Sequence, residues 1–88
     1  MKTFKDLDFK PHSIRLSGEQ ATMNFDNKYG VSVISGPMFY TNISHPYEVA
    51  ILYNDSITYN TSIANDALGY QTKAMVTNIM KKVQLLKD

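Results

Sequence analysis

At 88 residues the chain has room for one domain and one core, and its 43% hydrophobic and 19% charged composition is that of a folded globular protein. A formal net charge of +1 gives no overall pull toward nucleic acid or anionic lipid. The complete lack of cysteine removes disulfides, thiolate catalysis and cysteine-based zinc sites. Residues 1–8 hold no apolar run of the signal-peptide kind, and no stretch approaches the ~20 apolar residues that cross a bilayer. A soluble protein of the cytoplasm, with no membrane partner, is therefore expected, and its three Asn-x-Ser/Thr triplets read as products of composition.

In residues 1–12, charged positions alternate with Phe4, Leu7 and Phe9. That spacing suits an irregular segment or a single helical turn docked by its apolar side chains, and Pro11 stops regular structure there. Ile14 and Leu16 begin a short strand, which Ser17 and Gly18 interrupt with a bend or bulge. From Gln20 the alternation is clean. Ala21, Met23 and Phe25 face one side, while Gln20, Thr22 and Asn24 face the other, as in a half-buried antiparallel strand. Asp26, Asn27 and Lys28 supply turn chemistry, and Tyr29, Val31 and Val33 continue the alternation until Gly36 and Pro37 end it.

A loop from Met38 to Pro46 follows, carrying Phe39, Tyr40, Asn42 and His45. Residues 47–53 form the most apolar strand, with bulk on both faces, which predicts a central place in the sheet. Asn54, Asp55 and Ser56 make a second turn, with Ile57, Tyr59 and Thr61 on the return strand. Residues 64–70 are expected as a short turn or helix closed by Gly69. Thr72 is the natural N-cap of a last helix over 72–87, whose apolar face is Met75, Val76, Ile79, Met80, Val83 and Leu86. The fold class that results is α+β: a single domain with an irregular segment over 1–12 and an antiparallel sheet of about four strands over 13–61, packed against one C-terminal α-helix.

The run Phe25-Asp26-Asn27 through Tyr29-Gly30-Val31-Ser32-Val33, then Gly36-Pro37 and Tyr40, resembles a family of small uncharacterised proteins of tailed bacteriophages. In that family a "DNGYGVSVV-GP" hairpin is followed by a "YE-AVL" strand, matched here by Tyr47-Glu48-Val49-Ala50-Ile51-Leu52. Its closing "T-DVLGY-T" segment is matched by Thr61, then Asn65-Asp66-Ala67-Leu68-Gly69-Tyr70 and Thr72. The resemblance runs from about residue 20 to the end and departs at Lys28, where the family has glycine, and over 41–46, where it has a glycine-rich loop. It implies phage origin, a place in the host cell cytoplasm and a small accessory role, and it carries no catalytic residues over.

Catalytic equipment is sparse. His12 and His45 each sit beside a proline, far apart in sequence and without metal-ligand spacing. Asp26, Asp55 and Asp66 fall in turns or caps, where local hydrogen bonding accounts for them. Glu48, inside the apolar strand, needs a partner such as Arg15 or a tyrosine hydroxyl if buried. No serine has a nucleophile-elbow context and no glycine-rich loop matches a phosphate cradle. No enzymatic activity and no cofactor or metal is expected.

Six tyrosines and no tryptophan make contact surface the more informative feature. The Met38-Phe39-Tyr40 run either folds back on the core or presents an apolar anchor. The expected role is non-catalytic binding of a host protein, such as a component of antiviral defence, through Phe39, Tyr40, His45 and Tyr47, with Tyr29 and Tyr59 as sheet neighbours. Two other readings stand beside it: an oligomer that sequesters a small molecule or nucleotide signal, and a single-stranded nucleic-acid binder with tyrosines stacked on bases. The second is disfavoured because the strands supply Arg15 beside Glu19 and Glu48 and no basic groove. A homodimer is compatible with all of them.

Overall fold

The clean alternation after Gln20 becomes an antiparallel hairpin of β2 (Glu19–Asn24) and β3 (Tyr29–Ser35). A hydrogen bond from Phe25 N–H to the Tyr29 carbonyl, 2.8 Å, closes its turn. Lys28 takes the left-handed conformation there (φ 72°), which is uncommon for a residue with a Cβ. The protein is seen in a computed structural model, which describes residues 1–12, 18–36, 41–64 and 66–87.

β4 (Tyr47–Tyr53) pairs antiparallel with β3 along six residues, and its outer edge is shared by two short strands. β5 (Ser56–Ile57) covers the Tyr53 end, returning through Asn54 (φ 49°) and Asp55 (φ 68°), the two positive values a two-residue I′ hairpin requires. β6 (Leu68–Gln71) covers the Tyr47 end. On the other flank β1 (Lys10–Pro11) pairs with the first two residues of β2. Among the described residues the sheet thus has six strands, against about four expected, in the order β1-β2-β3-β4-β5, with β6 also on β4. α1 (Lys73–Gln84) packs across one face, capped by Thr72, whose Oγ1 accepts from the Met75 N–H at 3.2 Å.

The α+β architecture and the central place of the 47–53 strand are as expected, while four elements differ. Pro11 does not exclude a strand, because β1 is a two-residue edge strand in which proline needs no ladder donor. Residues 68–71 are a strand and not part of a helical turn, because the backbone of β4 beyond the short β5 needs a partner and β6 supplies it. The return strand stops at Ile57, with one further bond from Thr58 N–H to the Ile51 carbonyl, so Tyr59 and Thr61 lie outside it. α1 is shorter than 72–87, and Met75 sits at the margin of its apolar face, 38% exposed. The strand expected from Ile14 and Leu16 lies outside the described residues.

The core lies between the sheet and α1. Val31, Val33, Val49 and Ile51 meet Val76, Ile79, Met80 and Val83 there, all buried. Phe4, Leu7 and Phe9 of the N-terminal segment pack against it, with a 3-10 turn over Phe4–Asp6. That segment is tied to α1 by a reciprocal pair: Lys2 N–H donates to Gln84 Oε1 (2.9 Å), and Gln84 Nε2 donates to the Lys2 carbonyl (2.8 Å). Phe4 N–H also donates to Thr77 Oγ1 at 3.0 Å. Asn27 locks the hairpin turn to the far end of the helix, its Nδ2 donating to the carbonyls of Val83 (2.9 Å) and Leu86 (2.8 Å). Val83 is in the last turn of α1, where its carbonyl also accepts from the Leu86 N–H (3.1 Å), and Leu86 follows the helix end.

Candidate binding loop

The connection from β3 to β4 is long and polar, and hydrogen bonds of its own hold it. Thr41 Oγ1 donates to the Gly36 carbonyl at 2.7 Å, where the chain leaves β3 at a positive φ of 153°. Asn42 organises the following turn. Its N–H donates to the His45 carbonyl (3.1 Å), and its Oδ1 accepts from the His45 N–H (2.7 Å) and from Ser44 Oγ (3.0 Å). An Asn side chain that substitutes for backbone in this way makes a turn without regular structure around it. Ser44 Oγ also lies 3.0 Å from His45 Nδ1, so this imidazole is part of the turn's own bonding.

The residue carried at the tip is Ile43, whose side chain is fully exposed (102%). A single exposed aliphatic residue is common on protein surfaces. This one differs because the polar groups around it satisfy one another and hold the turn, so the apolar side chain is presented outward on a braced support. Thr41, Asn42, Ile43 and Pro46 line a shallow groove of about 440 Å³ with Ser35 and Gly36. The segment from Thr41 to Pro46 carries no acidic or basic side chain apart from His45.

Of the residues expected to form a contact surface, Phe39 and Tyr40 lie outside the described residues. His45 is half-buried within the turn just described. Tyr47, at the start of β4, turns to the helix side, where its ring meets Phe4 (centroids 4.9 Å apart) and Phe9 (5.7 Å). Burial holds the Tyr47 hydroxyl above its ordinary value of 10.0, with the Glu19 carboxylate adding to the effect. Tyr29 also packs against the core and meets the Tyr53 ring at a tilt of 60°, centroids 4.9 Å apart. It begins the seven-residue β3 whose other end leads into the loop, roughly 20 Å away at ~3.4 Å per residue. Tyr59 is half-exposed beyond β5. His45 and Tyr47 are thus brought beside the loop, while Tyr29 is at the opposite end of the sheet.

Ile43 was not singled out by sequence reasoning. The signal available was an aliphatic residue flanked by Asn42 and Ser44 in a segment with no strand periodicity. The face of the sheet away from the helix carries Gln20, Thr22, Asn24, Ser32 and Glu48 together with Ile34, Ala50 and the buried Leu52, and Gln20 Nε2 donates to Ser32 Oγ at 2.9 Å. Glu48 is half-buried there, opposite Ile34. Among the described residues no group of three or more His, Asp or Glu converges in a way that could hold a metal ion, and no helix is long and apolar enough to cross a membrane. Comparison with protein-family models, curated proteins and solved structures finds no match to the chain.

Proposed function

We propose that this protein acts by non-catalytic binding to another protein, with the 41–46 loop as the contact and Ile43 as its anchor. The observation that carries this reading is the full exposure of Ile43 on a turn braced by Asn42. An anchor whose support is already ordered loses little conformational freedom on binding, and an uncharged surround suits an apolar pocket with a polar rim. Phe39 and Tyr40, which precede this turn in sequence, remain part of the proposed contact. The resemblance to tailed-phage proteins directs the partner search to the host, and to a component of antiviral defence in particular.

The test is affinity capture from a bacterial host lysate with wild type and with Ile43→Asp. A host protein retained by wild type and lost with the variant, at unchanged melting temperature, supports the reading. Equal capture by both overturns it. So does native mass spectrometry showing an oligomer with an added mass of a few hundred daltons, which points to a sequestered small molecule.

A further inference from the structure

The outer edge of β2 is half covered. Two backbone hydrogen bonds set which of its groups point where. Phe25 N–H bonds the Tyr29 carbonyl across the β2–β3 turn, and His12 N–H bonds the Gly18 carbonyl on the β1 side. Hydrogen-bonding direction alternates along a strand, so Glu19, Ala21 and Met23 address β3 while Gln20, Thr22 and Asn24 address the outside. β1 takes up the outward position at Gln20 and goes no further. Among the described residues no strand pairs with the outer edge of 21–24, which leaves the N–H and C=O groups of Thr22 and Asn24 presented outward.

The other flank of the sheet is treated differently. β5 is two residues long, and β6 is irregular between its pairings with Tyr47 and Val49, with Tyr70 at a φ of 56°. Short strands and local kinks are how sheets discourage further pairing. Residues 21–24 contain no proline, no lysine and no bulge.

We propose that this edge pairs with the same edge of a second copy, antiparallel, to form a two-fold dimer through a continuous sheet. The pattern of the strand is its own complement. Pairing Thr22 with Asn24 of the second copy satisfies both outward positions and sets Met23 across from its own equivalent. Ala21, half-buried Met23 and half-buried Phe25 then form one apolar row on the helix side, and Thr22 and Asn24 form a polar row on the other. A slip of one residue would face inward-pointing amides to outward-pointing ones, so the register is restricted. The cleft beside this edge, about 470 Å³, carries Lys2 and Lys5 against Asp6 and Asp26, so a two-fold copy meets no excess of like charge. That balance favours a second copy over a strongly charged peptide.

The test is light-scattering mass together with amide exchange followed residue by residue. A mass twice the 10.0 kDa of the chain is expected at high concentration, falling to one chain on dilution. Across that transition the Thr22 and Asn24 amides gain protection by more than about tenfold, while Ala21 and Met23 are protected throughout. Thr22→Pro removes an outward N–H without touching the β2–β3 ladder and is expected to be a folded monomer. Wild type that stays at 10.0 kDa at millimolar concentration overturns the proposal. So does a dimer whose Thr22 and Asn24 amides exchange like free ones, or a folded Thr22→Pro variant that still dimerises. If Thr22→Pro does not fold, the wild-type exchange pattern decides alone.

Discussion

The two faces of the sheet share every strand and every register, yet they are held by different forces. On the helix side Met23 lies across from Val31, Val31 from Ile51 and Val33 from Val49, and α1 closes over them with Val76, Met80 and Val83 at no exposure. On the other side the intervening positions place Thr22 beside Ser32 and Ser32 beside Ala50, and polar side chains bond one another. Asn24 Nδ2 reaches Asp55 Oδ1 at 2.6 Å, joining β2 to the turn after β4. Gly30 is needed on the same face, because a Cβ there would meet the Met23 carbonyl and sit 2.7 Å from Asn24 Oδ1. The helix side is stabilised by removing apolar area from water, while the other side combines side-chain hydrogen bonds with the burial of Leu52 (5% exposed) and half-buried Ile34 and Ala50. The larger share of the buried apolar side chains lies on the helix side.

Substitutions can break that contrast. Met80→Ala on the covered face is expected to cost about 2–5 kcal/mol, a large share of what an 88-residue domain has, as read from the urea midpoint. Asn24→Ala on the open face should cost about 0.5–1 kcal/mol in the same titration, because both partners are exposed and water replaces the lost bond. Comparable losses from the two variants would mean that the polar face contributes more than its exposure implies.

A subtler effect concerns Tyr47, the aromatic residue that joins the covered face to the N-terminal segment. The folded state holds its phenolic proton more tightly than the unfolded chain does. That contribution is fully present below pH 10 and is lost as pH rises above it. Measured against Tyr47→Phe, wild type should lose stability above pH 10 and track the variant near neutrality. Parallel profiles would place the hydroxyl in water, outside the Phe4 and Phe9 cluster.

Much of the covered face was legible in the sequence. Period-two alternation from Gln20 to Val33 identifies a hairpin and its buried side, and the spacing of Val76, Ile79, Met80 and Val83 identifies the helix stripe, because burial demands those periods. The candidate site was legible only in part. The loop stood out by the Met38-Phe39-Tyr40 run in a polar segment, but the exposure of Ile43 depends on how Asn42 bonds to Ser44 and His45. Tyr29 and Tyr47 looked like surface tyrosines, yet alternation alone does not say which face the helix will take.

What the linear chain determined by itself is therefore local: the strands with clean alternation, the positive-φ turn at Asn54 and Asp55, and a helix capped by Thr72. Such features depend on neighbours within a few residues. Tertiary structure alone decided that residues 68–71 become a strand, since the demand comes from unpaired backbone on β4, some twenty positions away. It likewise decided that Asn27, a turn residue by every local rule, closes the carbonyls of Val83 and Leu86. Backbone groups left unsatisfied by one element are completed by whatever the fold brings beside them, and that pairing is not written in either segment.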